Sequence, residues 1–200
     1  MGMPATKVWT ADEVRALMDE SRPTPRYELI NGELLVSLGS GEQGVTNSPT
    51  REHQRAVREL LRLLDDHVRA IGLGEALSSP ADLELETGTI VQPDVFVLSL
   101  PADGGGGDWG GVMSLHLVVE VLSPSTARYD RVLKRRFYQR IGIPEYWIVD
   151  PGSRVVERWQ PSDERPEVLD SRLTWCPPGG SESLTLDLDA FFARVHGEDP

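Results

Sequence analysis

Residues 115–150 read LHLVVEVLSPSTARYDRVLKRRFYQRIGIPEYWIVD, and the architecture can be built outward from them. Leu115 to Leu122 is almost wholly apolar, the composition of a central strand buried on both faces. Ser125 or Thr126 can cap a helix running to Ile141, and Gly142 closes it. Tyr146 to Val149 reads as the next strand. Pro151-Gly152 then turns the chain into Arg154 to Trp159, an expected antiparallel neighbour. Helices and strands mixed around one sheet imply an α/β or α+β fold.

Upstream, Thr10-Ala-Asp-Glu13 forms a capping box that opens a short helix to about Asp19. Tyr27 to Ile30 and Glu33 to Val36 flank Asn31-Gly32, a strong hairpin signal. Leu38 to Pro49 is Gly, Ser and Asn with little to bury, and reads as a loop. A long helix is expected from Thr50 to Ile71, with Val57, Leu60, Leu61, Leu64 and Val68 as its buried stripe and Gly72 and Gly74 as its stop. His53 falls on that buried side at the first turn. Ala81 to Glu86 and Asp94 to Leu100 are strand-like, and a Gly-rich loop spans Gly104 to Gly111. A last strand near Leu184 to Leu188 and a short helix from Asp189 to Val195 complete the pattern.

Length and composition narrow the class. A chain of 200 residues with 39% hydrophobic and 26% charged residues fits a single soluble globular domain, 1–200. One cysteine, Cys176, excludes an internal disulfide and suits a reducing cytoplasm. No apolar signal-peptide core and no membrane-length apolar run stand in the sequence, so a cytoplasmic location is expected. The net charge of −12 opposes polyanion binding at long range. Its distribution is uneven, however. Arg128, Arg131, Lys134, Arg135, Arg136 and Arg140 cluster against a single acid, Asp130.

Two acids interrupt or head apolar strands. Glu120 lies within LHLVVEVLSP, where a carboxylate costs several kcal/mol unless paired or metal-bound. Asp94 follows Pro93 at the head of DVFVL. On adjacent strands the two could project to one end of the sheet, a pair that suits Mg²⁺ with its retained waters. Lys134 sits on the helix after Glu120, sharing a face with Asp130 and Tyr138 at steps of four. An ammonium there can orient an attacking water and stabilise charge on a pentacovalent phosphate. Glu28 and Glu33, flanking the hairpin, could add a ligand or position water, and His53 could ligate metal or contact phosphate. Plainer readings stand beside these. Asp94 could simply start a strand, and Glu120 could pair with Arg128 or Arg131. Lys134 could pair with Asp130 on a solvated surface, and His53 could be a satisfied semi-buried histidine.

The strings RYELINGELL (26–35), PDVFVL (93–98), LVVEVLSPST (117–126), YDRVLKRRFYQRIGIPEYWIVDP (129–151) and VERWQ (156–160) resemble the Uma family of "putative restriction endonucleases" within the PD-(D/E)XK nuclease superfamily. The resemblance runs in order from about Trp9 to Phe191. It implies a restriction-endonuclease-like core, a mixed β-sheet flanked by helices, with a divalent metal (Mg²⁺ or Mn²⁺) at the carboxylates. Asp94 takes the place of the PD aspartate and Glu120 that of the second acid. The slot two residues further on, usually lysine in the superfamily, holds Leu122, and the resemblance places the lysine on the next helix as Lys134. Glu28 matches an early family glutamate and His53 a recurrent helix-start histidine. Asn31 departs from the usual aspartate, within a turn.

The expectation is therefore metal-assisted hydrolysis of a phosphodiester, in DNA, with Asp94 and Glu120 holding the metal and Glu28 or His53 assisting. Lys134 would orient water, Tyr138 would support Lys134, and Arg128, Arg131, Arg135 and Arg136 would meet the nucleic-acid backbone. Asp94→Ala should then abolish turnover and leave the melting temperature nearly unchanged or raised. Analogy with restriction enzymes implies a homodimer. The rival is a non-catalytic module with the same fold that binds protein or nucleic acid, a reading favoured by the acidic balance.

Overall fold

The computed structural model describes residues 7–21, 26–37, 50–99, 114–123 and 126–198. Strand β7 (Leu115–Val121) is buried along all 7 of its residues, as its composition requires. It lies inside a six-stranded sheet of order β10-β9-β8-β7-β6-β3. The members are β3 (Gly74–Ser78), β6 (Val95–Ser99), β8 (Glu145–Asp150), β9 (Val155–Trp159) and β10 (Glu167–Leu169). Only the β7–β8 pair is parallel, and the helical segment between Ala127 and Arg140 supplies the crossover that such a pair needs.

Residues alternate between the two faces of this sheet. Leu117, Val119, Val121, Trp147 and Val149 pack on α2 (Arg51–Ala70) and α4 (Leu188–His196), with β11 (Arg172–Trp175) and β12 (Leu184–Asp187) closing that side. Val118, Tyr146 and Ile148 point the other way, onto Phe137 and Tyr138 of α3 (Arg135–Arg140) and onto Ile30, Leu83 and Val91 of a second sheet. Each fully buried apolar side chain contributes about 1.5–3 kcal/mol. Glu120 has the parity of Val118 and so faces the second side.

The second sheet has the order β2-β1-β5-β4, from β1 (Arg26–Ile30), β2 (Glu33–Ser37), β4 (Leu83–Glu86) and β5 (Thr89–Val91). The Asn31-Gly32 hairpin forms as expected, with φ of +53° and +78° at its two turn residues. Helix α1 (Ala11–Ser21) opens on the capping box, Glu13 N–H donating to Thr10 Oγ1 and Thr10 N–H to Glu13 Oε2.

Several expectations need correction. The described residues form three sheets rather than one, the third being the β11–β12 pair. Strands β3, β5, β10 and β11 were not anticipated. Gly74 does not stop the long helix but begins β3, where an added Cβ would lie 1.8 Å from Leu98 O. Gly72, at φ +66°, is the stop. On α2 the buried residues include Ala56 and Glu59, while Val57 and Leu61 are only partly buried. The loops expected at Leu38 to Pro49 and Gly104 to Gly111, and the cap at Ser125, lie outside the described residues. The largest departure is in the helix after β7. Residues Tyr129–Lys134 wind as a π-helix before α3 continues, with no side-chain cap at its start.

Candidate active site

Antiparallel pairing of β6 with β7 sets Val95 opposite Val119, so one step further brings Asp94 level with Glu120. The backbone confirms the approach, since Val121 N–H donates to Asp94 Oδ2 at 2.9 Å. Glu28 arrives from β1. Its Oε1 accepts from Gln92 N–H at 2.8 Å, which leaves Oε2 turned toward the helix. Lys134 comes from the last turn of the π-helix. Its Nζ lies 2.9 Å from Glu120 Oε1, 2.9 Å from Glu28 Oε2 and 3.4 Å from Asp130 Oδ1. Glu120, Asp130 and Lys134 are nearly sealed from solvent, while the Asp94 and Glu28 side chains keep 13% and 11% of their exposure.

His53, at the first turn of α2, reaches the same place from the opposite face. Its Nε2 is 3.2 Å from Asp94 Oδ2, and its Nδ1 is buried with no hydrogen-bond partner among the described residues. Thr50 fixes this turn, its Oγ1 accepting from His53 N–H at 3.2 Å. The expected His53 is therefore present, but it is spent on Asp94 rather than pointed at open space. In effect it orients that carboxylate.

The electrostatics follow from a shortage of positive charge. Glu28, Asp94, Glu120 and Asp130 surround one ammonium. Burial pushes Glu120 well above the ordinary carboxyl range; Lys134 opposes this, and the charges of Asp130, Asp94 and Glu28 add to it. Burial likewise raises Asp130 against the pull of Lys134. Burial would lower Lys134, but Glu120, Glu28 and Asp130 outweigh it and hold the ammonium charged well beyond its usual range. Asp94 goes the other way. Burial would raise it, yet hydrogen bonds from His53 and Val121 and the charges of His53 and Lys134 hold it below its ordinary value.

Among the described residues, no three His, Cys, Asp or Glu side chains converge to hold a metal ion by themselves. Mg²⁺ does not need such a cage, since it commonly takes one or two carboxylates and completes its shell with water and phosphate. Asp94 and Glu120, hard oxygen donors side by side in an anionic pocket, fit that requirement. Tyr138 is buried against Tyr146, with ring centroids 4.9 Å apart, and its hydroxyl has no hydrogen-bond partner among the described residues. It flanks Lys134 by packing and does not bond to it.

The other candidates separate. Glu33 is exposed, so of the two hairpin acids only Glu28 enters the site. Arg131 is bound to Glu157 at 2.7 Å and Asp150 at 3.2 Å. Arg135 lies over the Trp159 ring, 4.6 Å from its centroid, and donates to Gln139. Arg128 and Arg136 are exposed and make no ion pair among the described residues. The plainer alternative for Lys134, a pair with Asp130 on a solvated surface, does not hold, since Asp130 is 1% exposed and belongs to the cluster. Its spacing from Lys134 was visible in the sequence, and its burial was not. One expectation about Asp94 also changes. Alanine there would strand Val121 N–H and His53, so it costs stability; Asn keeps an acceptor and is the cleaner probe.

Comparisons with known proteins bear on the fold and the family. Over 173 residues the chain is 29% identical to the uncharacterized protein sll1609 of Synechocystis sp. (strain ATCC 27184 / PCC 6803 / Kazusa), covering 84% of this chain and 90% of that one. The fold is similar to the crystal structure of a "putative nuclease belonging to DUF820" from Anabaena variabilis ATCC 29413. That match has a TM-score of 0.67 at 23% identity, over 94% of this chain and 99% of the other. The model of the Uma2 family, described as "putative restriction endonuclease", matches residues 11–188. On that extent of match, the chain belongs to the Uma2 family.

Proposed function

We propose that this protein is a divalent-cation-dependent endonuclease that hydrolyses phosphodiester bonds in DNA. The observation that carries the reading is the junction of Lys134 with Glu120 and Glu28, beside an Asp94 that stands level with Glu120. Family membership supports it. Asp94 and Glu120 would hold Mg²⁺ or Mn²⁺. When bound, such an ion polarises the phosphoryl oxygen and lowers the pKa of a water.

The remaining work falls to the chain. His53 fixes the orientation of Asp94, and His53 together with the Val121 N–H holds its carboxyl below the ordinary range. Lys134 holds a permanent positive charge where negative charge grows on the phosphorus oxygens. Glu28, anchored by Gln92 N–H, keeps the ammonium aimed. Arg128 and Arg136 offer exposed guanidinium groups to the phosphate backbone. Cutting both strands of a duplex calls for two such sites, so a homodimer is part of this reading, and sedimentation with and without DNA tests it.

The deciding experiment is cleavage of labelled plasmid and single-stranded DNA with Mg²⁺ or Mn²⁺, beside Asp94→Asn purified identically. Cleavage by the wild type alone is expected. Equal cleavage by both proteins, or none by either together with no cation-dependent rise in Tm, would defeat the reading.

A further inference from the structure

The three donors of an ammonium face three acceptors here, each from a different element: Glu28 on β1, Glu120 on β7 and Asp130 on the π-helix. Two of these contacts are tight, at 2.9 Å, while Asp130 Oδ1 stands back at 3.4 Å. At that distance it is an ion pair without hydrogen-bond alignment, and the oxygen is buried with no hydrogen-bond partner among the described residues. Thr126 hydrogen-bonds this carboxylate, which is 1% exposed, but Oδ1 has only the loose pairing with Lys134, a costly state that some stage of the site should use.

The backbone around Asp130 is built with equal care. Arg135 N–H reaches back five residues to Asp130 O, the π register, and Tyr146 Oη donates to the same carbonyl at 3.1 Å. Tyr146 lies on β8, beside the strand that carries Glu120. The turn bearing both Asp130 and Lys134 is thereby tied to the sheet. Runs of π-helix are uncommon and concentrate at functional sites.

We propose that Asp130 is a positioning residue for Lys134, the carboxylate that keeps the ammonium in place when Glu120 turns away from it toward a cation. This rests on the nuclease reading, in which a cation drawn to Glu120 competes with Lys134 for that carboxylate. With Glu120 engaged elsewhere, Asp130 has to close only a few tenths of an ångström to take over the vacated donor. Without Asp130, Lys134 would be left with Glu28 alone.

The chain has two lysines, Lys7 and Lys134, so Lys134 can be followed by itself. In a Lys7→Arg background, isotope-labelled lysine gives one ammonium signal, and reductive methylation reads its accessibility. In the wild-type site, adding Mg²⁺ should shift the Lys134 signal while leaving it protected from methylation. In Asp130→Asn, protection should hold without Mg²⁺ and fall about tenfold on its addition, the scale of one lost charge-assisted hydrogen bond. Asp130→Glu should restore most of the protection, and it carries the test if the Asn variant does not fold. Equal protection in Asp130→Asn and wild type, with Mg²⁺ shifting both signals, overturns the role of Asp130 alone. No Mg²⁺ response of the wild-type signal overturns the metal reading and this role with it.

Discussion

Lys134 carries one positive charge into a pocket lined by Glu28, Glu120 and Asp130, and its removal leaves those carboxylates uncompensated. Lys134→Met should therefore cost about 3–5 kcal/mol near neutral pH, as for breaking a buried ion pair. In acid the loss should shrink as the carboxyls take up protons, and urea denaturation across pH measures both. Glu120 predicts the opposite sign. Its folded-state pKa is raised, so between the ordinary carboxyl value and that raised value the folded protein binds more protons than the unfolded one. Stability drains away as pH rises through this window. Glu120→Gln removes the drain and leaves Lys134 its other two partners. It should raise stability by about 1–2 kcal/mol at pH 8, the size of gain seen when a functional site is relaxed, with no gain at pH 4. A uniform effect across pH would show that the carboxyl is not held above its normal range. Asp94, held low, contributes stability that is present above the ordinary aspartate value and lost only as pH falls through its lowered one.

The π-helix is the element that sets the site's alignment, because it spends one residue more than an α-helix on the same rotation. Val132 is 42% exposed on the outer side of that turn. Its deletion should relax the segment to ordinary α-helix at little cost in packing, and because the wider turn only absorbs the extra residue, Lys134 should keep its face. Circular dichroism should stay helical and Lys134 should stay protected from methylation; a reactive Lys134 would mean that the π register itself holds the ammonium in place. This winding was not legible in the sequence, since the spacing of Asp130, Lys134 and Tyr138 suits an α-helix just as well. The hairpin and the capping box were legible, because Asn31-Gly32 and Thr10 with Glu13 act through local chemistry. Strands β5 and β10, each 3 residues long, were too short to show any alternation. Strand β3 was masked by reading Gly74 as a helix stop, whereas it is Gly because Leu98 O passes so close.

At the scale of the molecule, a net charge of −12 must be reconciled with a polyanionic substrate. The sequence located the basic run correctly but could not sort its members, because strand neighbours decide which arginines are consumed. Asp150 and Glu157 take Arg131, and Trp159 takes Arg135, all from β8 and β9. Arg128 and Arg136 stay exposed. If these two meet phosphate, Arg128→Ala with Arg136→Ala should weaken DNA binding for every sequence alike. It should also lower the slope of log K against log salt by about two, one per lost contact. Arg131→Ala should instead lower Tm, since it unpairs two partly buried acids, and leave the salt slope nearly unchanged. Fluorescence anisotropy on catalytically silent Asp94→Asn protein, in Ca²⁺ and at several salt concentrations, separates the two classes. A double variant with the wild-type slope would move the phosphate contacts off this helix. The acidity of the remainder would then be the field through which DNA must approach along some other face.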